Sequence, residues 1–538
     1  MNLPRLVRTI WRLKPVQIYG RARFRLTRPR PDLRAAPPQR SLQGWTAPVP
    51  GSPALTGPDE IILIDRPGRI TDPASWNDPA QEKLWLYNLH YFDELSARAD
   101  AERQEWRRGL IARWIAENPP GAGNGWEPYP VSLRIVNWIK WGLSGQPLGP
   151  AALDSLAVQA RWLTGRLERH LLGNHLFANA KALVFAGLFF EGAEADRWLA
   201  LGLRIFAREM SEQVLTDGGH FELSPMYHSI LFEDVLDLVN LAAAAGLSAR
   251  PPFADWRDVA TRMDSWLRAM THPDGRIAFF NDAAFGVAAE PVNLHAYAAR
   301  LGIPVMGANG GVVQQLAASG YIRLESTRAV ALLDVARIGP DYIPGHAHAD
   351  TLSFELSVDA ARLIVNGGTS TYAGPARARE RGTESHSTVQ VDRLDSSEVW
   401  SSFRVGRRAN VRALVKDEGD AAVVEGEHDG YAWLPDKPIH RRRWRFAAEG
   451  LAVFDEVTGP ERPAVARFLL APGVAARLDP RGLAATLSRE GLPDVLMSSS
   501  SPLRLEPAHW GEGFNRVKPI QSLVADLQGG ALTTRFSW

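Results

Sequence analysis

The spacing of apolar residues changes once along the 538-residue chain, and this change constrains the fold more than any other feature. From about residue 84 to residue 310, segments such as SLRIVNWIKWGLSG carry apolar residues three and four positions apart, which is typical of amphipathic helices. Later segments such as TLSFELSV and ANVRALVKD alternate apolar and polar residues, which predicts short antiparallel strands. We therefore predict a helical domain followed by a β-sandwich, with a ligand cleft at their junction.

The length of the chain and its local composition suggest three parts. A chain of 538 residues is too long for one ordinary hydrophobic core, so several domains are expected. Residues 29–58 are rich in proline and arginine, as in a linker or a wrapping arm. The predicted parts are a basic helix and arm over residues 1–60, a helical domain over 61–312 and a β-sandwich over 313–538.

Charge and cysteine content exclude several classes of function. The formal net charge is +1, so the chain has no global field that would attract nucleic acid, and none is expected as a partner. The sequence contains no cysteine, which excludes disulfides, thiolate metal sites and a cysteine nucleophile.

The first stretch, MNLPRLVRTIWRLK, is basic throughout. Arg5, Arg8, Arg12 and Lys14 interrupt every apolar run, so no signal-peptide core forms, and the longest apolar run (residues 182–190) is too short for a membrane span. We expect a solvated helix and a cytoplasmic protein without a transmembrane segment; a periplasmic location is the alternative. Contact with an anionic membrane surface is a second interpretation of the basic start.

The segment YIPGHAHADTLSFEL raises the question of what its two histidines do. If the chain is extended from His346 onward, then His346, His348 and Asp350 share the face that later carries Leu352 and Phe354. Polar groups on a core-facing side need partners. They are metal ligands, catalytic groups, or strand-end histidines that bond to backbone carbonyls. The His-x-His-x-Asp pattern also occurs in dinuclear metallohydrolases, but the flanking sequence does not match theirs.

Polar and aromatic residues stand at three predicted helix starts. Each has an ordinary explanation as a cap or a packing residue. Together they predict a cleft lined by helix N-termini, which favour anions. The residues at these starts are Trp126, Glu127 and Arg134; Asn174 and His175; and Tyr227 and His228, with Glu222 nearby.

Several motifs, taken in order and spacing, resemble the heparinase II/III-like polysaccharide lyases, which include related alginate lyases. The resemblance spans most of the chain, from about residue 85 to residue 446. It implies an (α/α) toroid followed by an antiparallel β-sandwich. The motifs that carry it are GNHLFANAKAL, ELSPMYH, GHAHADTLSFEL, NGGTSTY, RGTESHSTVQVD and EHDGY.

The resemblance implies β-elimination beside a uronic acid of an acidic polysaccharide or oligosaccharide. Because no signal peptide is predicted, a link to surface or exopolysaccharide metabolism is one interpretation of its role. By resemblance, Asn174 and His346 neutralise the sugar carboxylate as it becomes an enediolate. Tyr227 is the acid, and either Tyr227 or His175 is the base, depending on the stereochemistry of the sugar. A tyrosine base would need nearby positive charge, since the ordinary pKa of tyrosine is about 10.

Family members often hold zinc with two histidines and an aspartate. His348 and His386 match the histidines, whereas Asn366 stands at the aspartate position, and Asp350 is a candidate replacement. Loss of a carboxylate weakens zinc binding, so both a bound structural zinc and a metal-free site remain open. A zinc ion would organise the loop that carries His346.

Further residues are predicted substrate contacts, with solvated or ion-paired surface residues as the alternative. Arg134 would hold a sugar carboxylate with two hydrogen bonds. His428 and Tyr431 in EHDGY are interpreted as a strand-turn element, and the HRRRWRF segment as mostly a solvated face. The predicted substrate contacts are Trp126, Glu127, Arg134, Glu222 and Asp282.

Two alternative functions remain. A glycoside hydrolase on the same scaffold would need two opposed carboxyl groups, which Glu127, Glu222 and Asp282 could supply. A non-catalytic glycan-binding protein of polysaccharide assembly would keep the fold without the chemistry. The sequence leaves the sugar, the linkage and the oligomeric state open.

Overall fold

The computed structural model describes residues 3–306 and 312–538, and its helices lie almost entirely before residue 301. The predicted end of the helical region near residue 310 lies outside the described residues, and the three domain boundaries stay predictions. The helices are α1 (Leu3–Ile10), α2 (Pro15–Leu26), α3 (Lys83–Tyr91), α4 (Ala101–Glu117), α5 (Pro128–Leu143), α6 (Pro150–Gly165), α7 (Gly173–Phe189), α8 (Ala193–Gln213), α9 (Pro225–Ala244), α10 (Asp255–Ala269), α11 (Pro291–Arg300) and α12 (Gly374–Glu380).

Helices α3 to α11 form the toroid, and α7 lies at its centre. Residues 176–189 of α7 are all buried, which explains why this helix is apolar on every side. Lys181 of α7 and Lys140 of α5 both donate to Asp237 of α9, each at 2.8 Å, so one buried carboxylate holds three helices together. In the part of the chain that the structure describes, no helix has both the length and the apolar character to cross a membrane.

The arm between α2 and α3 lies against the helices. The backbone of Thr46 exchanges two hydrogen bonds with the side chain of Asn240 on α9, and Arg40 donates from its backbone to Phe189 at the end of α7. A hairpin that the sequence did not predict follows, formed by β1 (Glu60–Leu63) and β2 (Arg66–Arg69).

The second half of the chain is a sandwich of two antiparallel sheets. Its strands are β3 (Val313–Leu316), β4 (Tyr321–Glu325), β5 (Ala329–Asp334), β6 (Phe354–Val358), β7 (Ala361–Val365), β8 (Val389–Val391), β9 (Val399–Trp400), β10 (Arg404–Val405), β11 (Val411–Asp417), β12 (Ala421–His428), β13 (His440–Ala447), β14 (Gly450–Val457), β15 (Ala464–Leu470), β16 (Ala475–Leu478), β17 (Ala484–Arg489), β18 (Leu492–Ser499), β19 (Leu503–Gly513), β20 (Arg516–Asp526) and β21 (Ala531–Ser537). The sheet next to the helices has the order β19-β20-β15-β7-β6-β5-β4-β3, with β8 also paired to β15, and the outer sheet has the order β11-β12-β13-β14-β21-β18-β17-β16. Phe354, Trp444, Phe468 and Phe536 are fully or almost fully buried between the sheets.

Buried polar contacts join the two halves. His272, which follows α10, bonds through Nε2 to the buried carboxylate of Glu355 on β6 at 2.9 Å and through Nδ1 to Ser357 at 2.8 Å. Trp266 of α10 donates to Ser319 at 2.9 Å. Since such groups are costly to expose, the junction holds the cleft between the halves in a defined shape.

The interpretation of residues 346–352 as a strand is wrong. Strand β6 begins only at Phe354, and the residues before it form turns, with Leu352 at a φ of 63°. The alternation of faces therefore does not apply to His346 and His348, whose positions are set by a loop.

Candidate active site

A cleft of about 1580 Å³ lies where the toroid meets the sandwich. Its volume exceeds that of an ordinary small-ligand pocket, so it has room for several sugar units. The four predicted catalytic residues converge on it from both halves of the chain, together with a tyrosine that sequence reasoning missed: Asn174, His175, Tyr227, His346 and Tyr372.

Local backbone features explain how the helical half presents its residues. Leu172 and Gly173 both have positive φ (64° and 55°), and this turn places Asn174 and His175 in the first turn of α7. A β-carbon on Gly173 would come within 2.8 Å of Ile343 and 3.1 Å of Glu222, so the turn requires glycine. Tyr227 lies in the first turn of α9, where Ser224 caps its backbone N–H at 3.1 Å.

Asp282 is the centre of the hydrogen-bond network on the sandwich side. Its carboxylate accepts from His346 Nδ1 and His348 Nε2, both at 2.7 Å, and from Arg377 Nη2 at 2.8 Å. Burial alone would raise the pKa of Asp282, but the Arg377 guanidinium and the two imidazoles hold it well below its usual range. The prediction that Asp282 contacts substrate is wrong, because the residue is fully buried behind His346.

His346 is the part of this network that reaches the cleft. Its side chain is 14% exposed, and its ring lies against the ring of Tyr227 with centroids 3.9 Å apart. Since Nδ1 bonds to the Asp282 carboxylate, Nδ1 carries the proton and Nε2 points away from that carboxylate.

Tyr227 pairs with a second tyrosine. Its hydroxyl lies 2.7 Å from the hydroxyl of Tyr372, which comes from the loop after β7. Burial raises the pKa of Tyr227 well above its ordinary value, and the neighbouring Tyr372 and Asp282 raise it further. Tyr227 therefore holds its proton at neutral pH.

His175 is paired with a carboxylate that sequence reasoning also missed. Its Nδ1 lies 3.1 Å from Glu168, which in turn accepts from Asn179 at 3.1 Å. Burial would lower the pKa of His175, but the Glu168 carboxylate outweighs this effect and raises the pKa above 6.5. The imidazole is 30% exposed and lines the cleft, and its ring packs against Tyr129 with centroids 4.5 Å apart and the planes tilted by 42°.

Glu222 lies beneath the cleft surface and does not line it. It is 1% exposed, and its nearest charged partner is His346 Nε2 at 3.5 Å. Burial raises the pKa of Glu222, with the neighbouring histidines His346 and His175 opposing the shift. The prediction that Glu222 contacts substrate is therefore wrong for this arrangement of the cleft; the residue supports His346 from behind.

Trp126 and Arg134 are also not substrate contacts. Arg134 is fully buried, donates to Gln159, His90 and Gly125 at 2.8–3.2 Å, and stacks on Trp114. Trp126 is buried in the toroid core and donates to a backbone carbonyl at 3.2 Å. Both predictions are wrong because the side chains already have complete sets of partners inside the protein.

Glu127 lies at the rim of the site. Its carboxylate accepts from Tyr87, which lines the cleft, and from Lys83, and its side chain is half-exposed. A role of Glu127 in substrate binding stays a prediction.

The residues at the predicted zinc position do not supply a suitable donor set. His348 Nδ1 and His386 Nε2 are 3.2 Å apart, but the amide oxygen of Asn366 accepts from the backbone of Ser387 at 3.0 Å. Asp350, the candidate replacement, accepts from the backbone of Asn281 at 2.9 Å. Across residues 3–306 and 312–538, no three His, Cys, Asp or Glu side chains are grouped as metal ligands. Two imidazoles without an ionised third ligand do not match a structural zinc site.

Comparison with known proteins identifies similar sequences and structures. Family models match both halves: "Heparinase II/III N-terminus" over residues 109–299 and "Heparinase II/III-like, C-terminal" over residues 310–538. A heparin-sulfate lyase of Bacteroides stercoris is 26% identical over 313 residues, which are 54% of this chain and 45% of that protein. A heparin-sulfate lyase of Pedobacter heparinus is 25% identical over 312 residues, 52% and 46% of the two chains. The chain thus spans about half the length of the curated relatives it matches.

Solved structures share the fold. A crystal structure of heparinase III is 19% identical, covers 86% of this chain and 79% of its own, and has a TM-score of 0.69. Heparan sulfate lyase HepC from Pedobacter heparinus is 19% identical, with coverage of 86% and 78% and a TM-score of 0.59. The predicted fold class, an (α/α) toroid followed by an antiparallel β-sandwich, is confirmed.

Proposed function

Since this chain belongs to the heparinase II/III-like family, we propose that it is a polysaccharide lyase that cleaves an acidic, uronic-acid-containing polysaccharide or oligosaccharide by β-elimination. The observation that carries the proposal is the convergence of Asn174, His175, Tyr227 and His346 on one cleft between the two domains. β-Elimination needs a group that neutralises the carboxylate, a base and an acid, and these side chains provide all three.

Asn174 and His346 bind the uronate carboxylate in this mechanism. Asn174 stands in the first turn of α7, where the positive end of the helix dipole favours an anion. His346 donates its Nδ1–H to Asp282, and in the imidazolium form its Nε2–H is a second donor, which Glu222 at 3.5 Å also favours and which the substrate carboxylate can accept. When the α-proton leaves, negative charge moves onto the carboxylate, and these donors stabilise the enediolate.

Tyr227 is the acid. Its raised pKa keeps the hydroxyl protonated, and Tyr372 at 2.7 Å fixes its direction. As the carbon–oxygen bond of the glycosidic link breaks, the electron pair goes to the departing oxygen, which takes the proton from Tyr227. The remaining sugar gains a carbon–carbon double bond.

His175 is the base. Its neutral form accepts the α-proton, and Glu168 stabilises the imidazolium that results. The Glu168 carboxylate raises the pKa of His175, and a higher pKa makes the neutral imidazole a stronger base. Tyr227 is less suited to this role, because burial opposes loss of its proton.

The buried carboxyl groups disfavour a glycoside hydrolase. Hydrolysis needs two carboxyl groups that face each other across the scissile bond. Asp282 is fully buried and ion-paired with Arg377, and Glu222 is buried beneath the cleft, so Glu127 at the rim is left without an opposed partner among the residues predicted for this role. A cytoplasmic location and a role in exopolysaccharide metabolism stay predictions, which cell fractionation and gene deletion would check.

Ultraviolet absorbance tests the reaction directly. The purified protein is incubated with a panel of uronate polymers, and an unsaturated product absorbs where a hydrolysis product does not. We expect Tyr227→Phe to lower turnover by about 10²–10⁴-fold, and His346→Ala to lower it as strongly. Tyr431→Phe is the matched control, because Tyr431 is buried in the sandwich and its hydroxyl donates to the backbone carbonyls of Val389 and Leu394. Cleavage products without a carbon–carbon double bond at the new chain end, or full activity in Tyr227→Phe, would contradict the mechanism.

A further inference from the structure

Helix α1 and Trp11, which directly follows it and continues its hydrogen bonding to Val7 at 3.0 Å, present an apolar stripe to solvent. Leu3, Val7 and Trp11 are 67%, 55% and 86% exposed, and Ile10 lies beside them at 45%. Residues separated by four and seven positions lie on one face of a helix, so these side chains form a continuous strip. An exposed strip of this kind on a soluble protein marks an interaction surface.

The opposite face of α1 is fixed to the sandwich. Arg5 and Arg8 both bond to Glu398, at 3.0 and 2.9 Å, and Arg12 bonds to Asp341 at 3.0 Å. The indole of Trp400 donates to Thr9 at 3.2 Å. These contacts prevent α1 from turning its apolar strip inward, so the strip is presented outward by the fold.

Helix α2 and the residues after it also expose apolar and basic side chains. Ile18, Tyr19 and Leu26 are exposed large apolar residues on α2. The sequence has no acidic residue before Asp32. Five arginines in this stretch are exposed and form no ion pair with any residue that the structure describes: Arg21, Arg23, Arg25, Arg28 and Arg30.

The acidic residues near α1 and the start of α2 do not cancel this charge. Glu398 is shared by Arg5, Arg8 and Arg407, and Asp341 is shared by Arg12 and Arg408, so each of these two carboxylates faces two or three guanidinium groups. Two more carboxylates lie nearby: Glu212, which pairs with Lys14, and Asp429, which lines a groove with Val7 and Trp11. The surface keeps a net positive charge around its exposed apolar residues.

We propose that α1, α2 and the arginines up to Arg30 dock the protein on an anionic membrane surface. Basic residues attract anionic headgroups, and exposed apolar and aromatic side chains insert at the boundary of headgroups and acyl chains. Trp11 and Tyr19 are residue types that favour this boundary. Trp433, also exposed, shares a shallow groove with Val7 and Trp11 and adds a third aromatic ring.

The surface adjoins the opening of the candidate active site. Ile10 and Ile18 are exposed and also line the cleft, as do Arg21 and Arg25. Docking would therefore bring the cleft opening to the membrane, where a polysaccharide attached to or leaving the membrane would be within reach. A hydrated polyanion would account for the arginines but not for Leu3, Val7 and Trp11, which do not line the cleft.

Vesicle flotation of the full-length protein tests the proposal. We expect binding to vesicles that contain phosphatidylglycerol, weak binding to pure phosphatidylcholine, and a loss of binding in high salt. The triple variant Leu3→Ser, Val7→Ser and Trp11→Ser should lose at least about tenfold in affinity for anionic vesicles. Its melting temperature and its turnover of soluble substrate should not change. A triple variant of comparably exposed residues on the sandwich, Leu414→Ser, Leu496→Ser and Val517→Ser, is the control and should bind like wild type.

Two results would overturn the proposal. The first is equal binding of wild type and the α1 variant to anionic vesicles. The second comes from Arg23→Ser, Arg28→Ser and Arg30→Ser, none of which lines the cleft. If this variant raises KM for a soluble uronate polymer and leaves vesicle binding intact, the basic surface binds polysaccharide and not membrane.

Discussion

Two buried clusters in this molecule are built from the same four groups: an aspartate, an arginine and two histidines. In both, the aspartate accepts from the arginine and from one imidazole, whose other nitrogen contacts the second imidazole at 3.1–3.2 Å. The cleft cluster consists of Asp282, Arg377, His348 and His386, and the sandwich cluster of Asp455, Arg442, His440 and His428.

Two additional hydrogen bonds to the aspartate distinguish the clusters. Asp282 also accepts from Thr369 at 3.1 Å and from His346, whose ring faces the cleft. The sandwich cluster lies on the adjacent strands β12, β13 and β14 with all four side chains buried. In both, burial would raise the pKa of the aspartate, but the arginine and imidazoles hold it below its usual range. The same four groups thus form a packing unit in two places. Only the Asp282 cluster is connected to the cleft, through the imidazole of His346, and we expect function from that cluster alone.

Asp282→Asn should have the largest effect, because it lowers both the stability of the protein and its turnover. Arg377 is left buried without its counter-ion, which costs about 3–5 kcal/mol of unfolding free energy. His346 also loses the anion that orients it, so turnover per folded molecule should fall by about 10²-fold or more. Urea unfolding and turnover measurements on the same preparation check both numbers. Normal turnover in the folded fraction would show that Asp282 does not act through His346.

Asp455→Asn should reproduce only the stability loss. Arg442 is as buried as Arg377 and loses the same kind of partner, so the expected cost is again about 3–5 kcal/mol. Within the described residues, Asp455 bonds to His440 and Arg442, neither of which lines the cleft, so turnover per folded molecule should match wild type. A parallel loss of turnover would mean that the sandwich cluster is coupled to the site, and the distinction between the clusters would fail.

The sequence predicts the change from helices to strands and the helix starts that carry the candidate catalytic residues, because these follow from local patterns. The change in apolar spacing marks the transition from helices to strands. Asn174, His175 and Tyr227 stand at helix starts that a glycine or a Ser-Pro pair identifies. The position of a residue in the first turn of a helix is set by local sequence and does not depend on distant parts of the chain.

The partners of these residues could not be predicted, because they come from distant parts of the chain. Arg377 lies 95 residues from Asp282, and Tyr372 lies 145 residues from Tyr227. Distant packing also explains why the predictions for Asp282 and Arg134 are wrong. A charged residue beside a motif predicts a substrate contact, but whether that residue is buried depends on elements from elsewhere in the chain that pack over it.

Glu168→Gln should give a smaller effect that sharpens the comparison. Glu168 orients His175 much as Asp282 orients His346, but it also raises the pKa of His175. The base acts in its neutral form, so activity rises as pH passes the pKa of His175. Loss of the carboxylate lowers that pKa, and the acidic limb of the kcat/KM profile should move to lower pH, with a loss of about tenfold at the plateau from the weaker base. A profile that only falls in height would indicate a structural role for Glu168.

Chelation should have the smallest effect, because both histidine pairs have the same construction. His440 and His428 approach within 3.1 Å without a cleft nearby, so the 3.2 Å approach of His348 and His386 does not by itself indicate a metal. A zinc site needs a further ionised ligand, and the side chain at that position, Asn366, is a neutral amide already bonded to Ser387. We therefore expect metal analysis to find no stoichiometric zinc, and EDTA to change neither turnover nor the melting temperature. Stoichiometric zinc that disappears in His386→Ala but persists in His428→Ala would instead assign a metal to the cleft cluster alone.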